Sequence, residues 1–177
     1  MGVIRLSSPV RLIAAICYLA AEQKESALVK MKDAFGPVLG SSAPFEFNFT
    51  TYYEHEMGSH LKKQFFSFLN LVDPSEIPDI KIKTNDLEKL FAVNDNRTVN
   101  IDPGYIEAAK LVLATTKNYN HRIYIAKGIY GDVQLFWQNG RFHPNPWTYP
   151  DYKQPDILDF FASVRNSYFA KIKKEAN

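Results

Sequence analysis

The first strong pattern in the chain is an unbroken apolar run from Leu12 to Ala21. A strand buried on both faces reads as such a run, which predicts a strand over residues 9–18. Arg5 and Arg11 precede it, as the basic residues of a secretory leader would. The polar stretch Glu22-Gln23-Lys24-Glu25 instead opens an amphipathic helix, and this favours the strand. The run is also too short to cross a bilayer as a helix, which takes about 20 residues. The helix extends from residue 22 to 35 with Leu28, Met31 and Phe35 on one face, and Gly36-Pro37 ends it.

Alternation then takes over. Phe45, Phe47, Phe49 and Thr51 interleave with Glu46, Asn48 and Thr50, the period of a half-buried strand over residues 45–51. A polar connection over 52–63, with room for a helical turn, leads to a strand at 64–71. Asp73-Pro74-Ser75-Glu76 is a capping-box helix start, with Pro at the first helical position. That helix runs to Phe91 with Ile77, Ile80, Leu87 and Phe91 inward. A short strand is predicted at 97–101. Asp102-Pro103-Gly104 reads as the cap of a helix reaching Thr116. Residues 121–127 and 130–138 form a hairpin about Gly128. Asn139-Gly140 turns the chain into a short strand at 141–143, and a Pro-rich aromatic loop over 144–155 precedes a last helix. There Ile157, Phe161, Val164, Tyr168 and Ile172 fall at helical spacing.

The predicted order is β-α-β-β-α-β followed by α-β-β-α. This is an α+β fold: a split βαβ, ferredoxin-like unit extended by a helix, a β-hairpin and a C-terminal helix. No repeat, linker or low-complexity tract divides it, so residues 1–177 form a single globular domain.

Composition narrows the function classes. With 21 basic against 19 acidic residues, the net charge of +2 is not the footprint of a protein built to hold phosphate backbones. Its one basic run, Lys171, Lys173 and Lys174, suits the C-terminal end of a helix. A lone Cys17 excludes an internal disulfide and a cysteine-rich metal site. Aromatic residues are abundant, 13 Phe and 10 Tyr, which serves a core first and recognition second.

Several motifs are missing. Gly36-Pro-Val-Leu-Gly40 has neither the spacing nor the lysine of a P-loop, and no G-x-G-x-x-G follows the first strand. None of the four His residues opens an H-x-[ST] pair, and there is no G-x-S-x-G elbow. His55 and His60 are five apart, about 140° around a helix, whereas a zinc-protease helix needs them four apart. Neither a metal nor a cofactor is therefore expected. Asn48-Phe-Thr50 and Asn96-Arg-Thr98 match a glycosylation acceptor, without meaning in a chain lacking a clear leader.

The polar residues in the connections carry the candidate chemistry. Asn100 and Asp102 are two apart in an extended segment and share a face, beside Gly104 and Tyr105. Lys117, His121 and Arg122 fall within six residues and suit an anion-facing rim. A helix joining Asp102 to Lys117 would hold them about 20 Å apart, which counts against a single cluster. Trp147 and Asp151 lie in the aromatic loop, which either walls a pocket or seals a core edge, and Glu56 lies in the polar connection. Lys83, Thr84, Asn85 and Glu88 read as the polar face of a helix.

The stretches Tyr52-Tyr53-Glu54-His55-Glu56-Met57-Gly58, Lys83-Thr84-Asn85, Val99-Asn100-Ile101-Asp102-Pro103-Gly104-Tyr105, Thr116-Lys117-Asn118-Tyr119, His121-Arg122 and Pro146-Trp147-Thr148-Tyr149-Pro150-Asp151-Tyr152 resemble those of a bacterial family catalogued as domain of unknown function 4416. The resemblance spans nearly the whole chain in order. It implies a bacterial cytoplasmic protein and supplies no catalytic residue.

The leading expectation is a cytoplasmic domain that binds a small anionic or nucleotide-like ligand. In it Lys117 and Arg122 hold the anion, His121 or Asp102 exchanges protons, and Asn100, Tyr105, Glu56, Trp147 and Asp151 complete the site. The alternative is a non-catalytic protein-interaction module, resting on Trp137, Trp147, Tyr149 and Tyr152. Single-stranded RNA binding through Tyr124, Tyr130, Arg122 and Arg141 comes third, against the near-neutral charge.

Overall fold

The computed structural model describes residues 2–4 and 6–175, so Arg5 lies outside it. Strand β1 (Val10–Tyr18) is buried at every position, as its continuous apolar run requires. It lies between β4 (Lys62–Val72) and β5 (Val99–Ile106), antiparallel to both. Helix α1 (Ala21–Phe35) follows β1. It ends at Gly36, whose φ of 92° is one an L side chain rarely adopts. The chain continues through β2 (Val38–Ser41), β3 (Phe45–Glu46) and the one-turn helix α2 (Glu54–Met57) into β4. A 3-10 turn capped by Asp73 then leads into α3 (Ile77–Leu90). Asp73 accepts from the Ser75 amide at 2.8 Å, and Glu76 accepts from the Asp73 amide at 3.1 Å. This is the capping box read in the sequence.

The C-terminal half adds β6 (Lys110–Thr115), β7 (Arg122–Ala126), β8 (Ile129–Gln138), β9 (Arg141–Pro144) and α4 (Pro155–Glu175). One nine-stranded sheet results, ordered β2-β4-β1-β5-β6-β8-β7, with β3 on β4 and β9 on β8. Every pairing is antiparallel. Helices cover both faces. Leu12, Ala14 and Ile16 meet Met31 of α1 and Ile80 and Leu87 of α3 on one. Ile13, Ala15 and Phe65 meet Tyr152 and, on α4, Ile157 and Phe161 on the other. The protein is thus a mixed α/β fold on a large antiparallel sheet. None of its helices is long and apolar enough to cross a membrane among the described residues.

Two expectations are corrected. The helix predicted from the Asp102-Pro103-Gly104 cap to Thr116 does not form, so the extension of the fold there is a pair of strands, β5 and β6. Leu111, Val112, Leu113 and Ala114 are all buried, which suits a strand covered on both faces. Gly104 is needed inside β5, because a Cβ there would sit 2.4 Å from the carbonyl oxygen of Val112. The strand predicted over 45–51 shrinks to Phe45–Glu46. Beyond it Phe47 and Phe49 leave the sheet, their rings packed edge-to-face with centroids 5.9 Å apart.

The β5–β6 pairing is incomplete. It covers only Gly104, Tyr105 and Ile106 opposite Leu113, Val112 and Leu111. Beyond Gly104 the strands part, and Thr115 continues against Tyr130 of β8 while Asp102 stays with Ala15 of β1. The exposed edge of β5 is completed from α3. The Ile101 amide donates to Glu88 Oε1 at 2.7 Å, and the Ile101 carbonyl accepts from Lys81 Nζ at 3.1 Å. Two charged side chains, two helical turns apart on one stripe, thus take the place of a strand. Pro103, which has no amide to offer a ladder, is tolerated beside this gap.

Candidate functional site

Where β5 and β6 part, the structure holds a cavity of about 490 Å³. Its inner end is polar. Lys63 of β4 and Asp151 of the aromatic loop form a buried ion pair at 2.7 Å. The ammonium also sits over the rings of Phe47, Phe65 and Tyr152, at 4.8, 5.5 and 5.6 Å from their centroids. Lys81 contacts Asp102 at 3.3 Å, and the Asn100 amide donates to the other Asp102 oxygen at 2.8 Å. Arg97 ties this floor to α2 and α3. It holds Glu56 through two side-chain bonds of 2.8 and 2.7 Å, reaches Asn100 at 2.8 Å, and lies 3.4 Å from Glu88. Such an Arg–carboxylate fork fixes orientation as well as charge.

The protonation states follow from these contacts. Burial alone would raise the Asp102 carboxyl, but the Lys81 and Lys63 charges and the Asn100 bond outweigh it, and the net shift is downward. Burial likewise opposes the Lys63 ammonium, while Asp151 and Asp102 more than offset it and hold the group charged. Glu88 is raised, chiefly by burial. The Arg97 hydrogen bond lowers Glu56. Behind the floor, burial pushes the Cys17 thiol up to about 12, so it is no nucleophile at neutral pH.

The walls are aromatic. Phe47, Phe49, Tyr52 and Tyr53 come from the segment after β3, and Tyr149 and Tyr152 from the loop before α4. Tyr119 and Lys117 come from the segment after β6. Lys117 is exposed, and its ammonium lies 4.0 Å from the centroid of the Tyr52 ring, joining two sides of the mouth. It has no carboxylate partner among the described residues.

Of the residues singled out in the sequence, Asn100, Asp102, Lys117 and Asp151 line this one cavity. The hairpin in place of the expected helix is what unites Asp102 with Lys117. Glu56 stands one step back, behind Arg97. Arg122 is buried behind the wall, where it pairs with Asp132 at 2.8 Å. It also donates to the Lys117 carbonyl at 3.0 Å and to the Tyr149 hydroxyl at 2.7 Å. It props the wall rather than facing the space. His121 and Trp147 stack on each other, centroids 5.2 Å apart at 16°, and neither is among the lining residues. Tyr105 packs against the α1–α3 core on the other side of the sheet. Among the described residues no group of three or more His, Cys, Asp or Glu is placed to hold a metal ion.

Lys63, Lys81, Arg97 and the tyrosines at 53, 119 and 149 were not singled out for the site. A signal existed for Lys81 and Glu88: they lie seven apart on a helix whose inward residues include Ile77, Ile80 and Leu87. Lys63 carried none, because it begins a strand whose polar start looks solvated.

The fold and this polar cavity define an α+β protein with an internal space of small-molecule size. Residues 8–168 match the model of the family described as a domain of unknown function (DUF4416), and the chain belongs to that family. No curated protein and no solved structure matches the chain.

Proposed function

We propose that the cavity between β5 and β6 binds a small organic anion carrying a flat ring, a nucleotide-like ligand in the broad sense. The observation that carries this reading is the combination in one 490 Å³ space of aromatic walls, a charged and hydrogen-bonded floor, and the unneutralised Lys117 at the mouth. Sites for small molecules commonly enclose about 300–1,000 Å³ and combine apolar walls with a few placed polar groups. A thermal-shift screen against nucleotides, sugar phosphates and small ring-bearing acids tests it. A ligand present at about 100 times its dissociation constant adds about 2.7 kcal/mol of stability. A hit abolished by Asn100→Ala or Tyr53→Ala supports the reading, and a silent screen contradicts it.

No proton-transfer role is assigned within the reading: Asp102 is held ionised, and His121 is outside the lining. The RNA-binding alternative loses Arg122, which is committed to Asp132. A protein-interaction role keeps one observation in its favour. The terminal strand β7 exposes Ile123, Tyr124 and Ile125 at the sheet edge, a site of the kind that pairs with another chain. The order β2-β4-β1-β5, with α1 after β1 and α3 after β4, supports reading the first half as a split βαβ unit.

A further inference from the structure

The charges around the cavity are unevenly spent, and the imbalance orients a ligand. At the floor, three cations (Lys63, Lys81 and Arg97) face four carboxylates (Asp151, Asp102, Glu56 and Glu88) within 3.4 Å. An anionic group brought there would meet cations that are already neutralised and carboxylates that repel it. At the mouth the Lys117 ammonium has, among the described residues, only a tyrosine ring for company. The field therefore draws an anion to the mouth and keeps it from the floor.

The floor still has hydrogen bonds to give. Lys63 has three N–H groups, and one is bonded to Asp151 Oδ2. Its ammonium lies near three ring centroids and meets no second acceptor among the described residues. Asp151 Oδ1 accepts no hydrogen bond among the described residues, and it is not among the sealed atoms that lack partners. A spare donor on Lys63 and a spare acceptor on Asp151, on side chains joined by a 2.7 Å ion pair beside Phe47 and Tyr152, match an edge that carries an acceptor beside an N–H, as a ring amide does.

Building on the reading of the cavity as an organic-anion site, we propose that the ligand enters ring first. Its uncharged amide edge bonds Lys63 and Asp151, and its single anionic group stays at the mouth on Lys117. The class is a monoester phosphate or carboxylate of a ring with adjacent acceptor and N–H groups. A bare inorganic anion, which has no ring to fill the walls, is not a ligand.

Isothermal titration with uridine 5′-monophosphate, uridine, the 3-methyluridine monophosphate and inorganic phosphate tests this, on the full chain and on Lys117→Ala. The uridine monophosphate is expected to bind, and uridine and the N-methylated compound each about tenfold more weakly. Phosphate alone should not register. Lys117→Ala, an exposed substitution that leaves the core intact, should weaken the monophosphate to the level of uridine and leave uridine itself unchanged. Equal loss for both compounds would overturn the orientation, as would phosphate binding alone. Failure of all four compounds alongside a cavity-dependent hit in the wider screen would overturn the amide-edge assignment and leave the organic-anion reading standing. Lys63→Met with Asp151→Leu removes the amide-reading pair without stranding one charge. It should abolish the preference for uridine monophosphate over its 3-methyl form, and a retained preference would contradict the proposal.

Discussion

Glu88 offers a direct check on how the parted strands are held. Its Oε1 takes the Ile101 amide at 2.7 Å, the place a neighbouring strand would otherwise fill, and its Oε2 lies 3.4 Å from Arg97. Glu88→Leu keeps the helix and the bulk but leaves a buried N–H with no acceptor. That costs about 1–3 kcal/mol, with a further fraction from the weakened Arg97 contact. Glu88→Gln keeps an amide oxygen for the same N–H and removes the cost of a buried charge. The sign of the pH effect follows: Glu88 is raised in the folded state, so at pH 7 the unfolded chain ionises it more readily and stability is reduced. Stability is regained as pH falls towards the ordinary carboxylate range. Glu88→Gln should therefore match or exceed the wild type at pH 7, and this advantage should shrink on acidification. Urea unfolding of the three proteins from pH 4 to pH 8 measures both effects. Equal stability of the Leu and Gln variants would refute the claim that this side chain replaces a ladder bond.

Four other outcomes follow from the same structure. Gly104→Ala sets a methyl 2.4 Å from a backbone oxygen at the vertex of the parting, and should cost about 1–3 kcal/mol by thermal unfolding. A variant as stable as the wild type would show that β5 and β6 do not meet as described. Cys17, pushed up to about 12, should resist thiol reagents in the folded protein at pH 8, and reaction at the rate of a free thiol would contradict its burial. Because its folded pKa exceeds the unfolded one, stability should fall between about pH 9 and 12, by at most about 1.4 kcal/mol per pH unit. Cys17→Ala should flatten that fall, and an unchanged slope would count against it. Lys63→Met alone strands Asp151 and should destabilise by about 3–5 kcal/mol, whereas Lys63→Met with Asp151→Leu should recover most of the loss. Additive losses in denaturant titration would argue against the pair.

Much of the fold was legible because local signals agreed with the final structure. The buried run of β1, the Asp73 capping box, the hairpin about Gly128 and the helical spacing of α4 each point one way. The β5–β6 hairpin was misread because Asp102-Pro103-Gly104 makes a good helix start taken alone. Its role in a strand depends on residues far along the chain: Lys81 and Glu88 complete the edge, and the Val112 backbone demands a glycine at position 104. The same tertiary facts hid half of the site. Asn100, Asp102, Lys117 and Asp151 stood out as polar groups in connections. Lys63 is polar on a strand end, and only its partner 88 residues away marks it as buried beside the cavity. His121, a natural candidate by residue type, is drawn instead to the Trp147 ring.

Amide NMR with a compound from the screen tests the central claim most directly, because it reports where binding occurs as well as whether it does. A ligand in the cavity should shift the amides of residues 100–102, 115–119, 149, 151 and 152, which border it on three sides, and leave the exposed strand β7 unmoved. Shifts confined to Ile123, Tyr124, Ile125 and the Trp147–His121 stack would contradict it and make the sheet edge the functional surface.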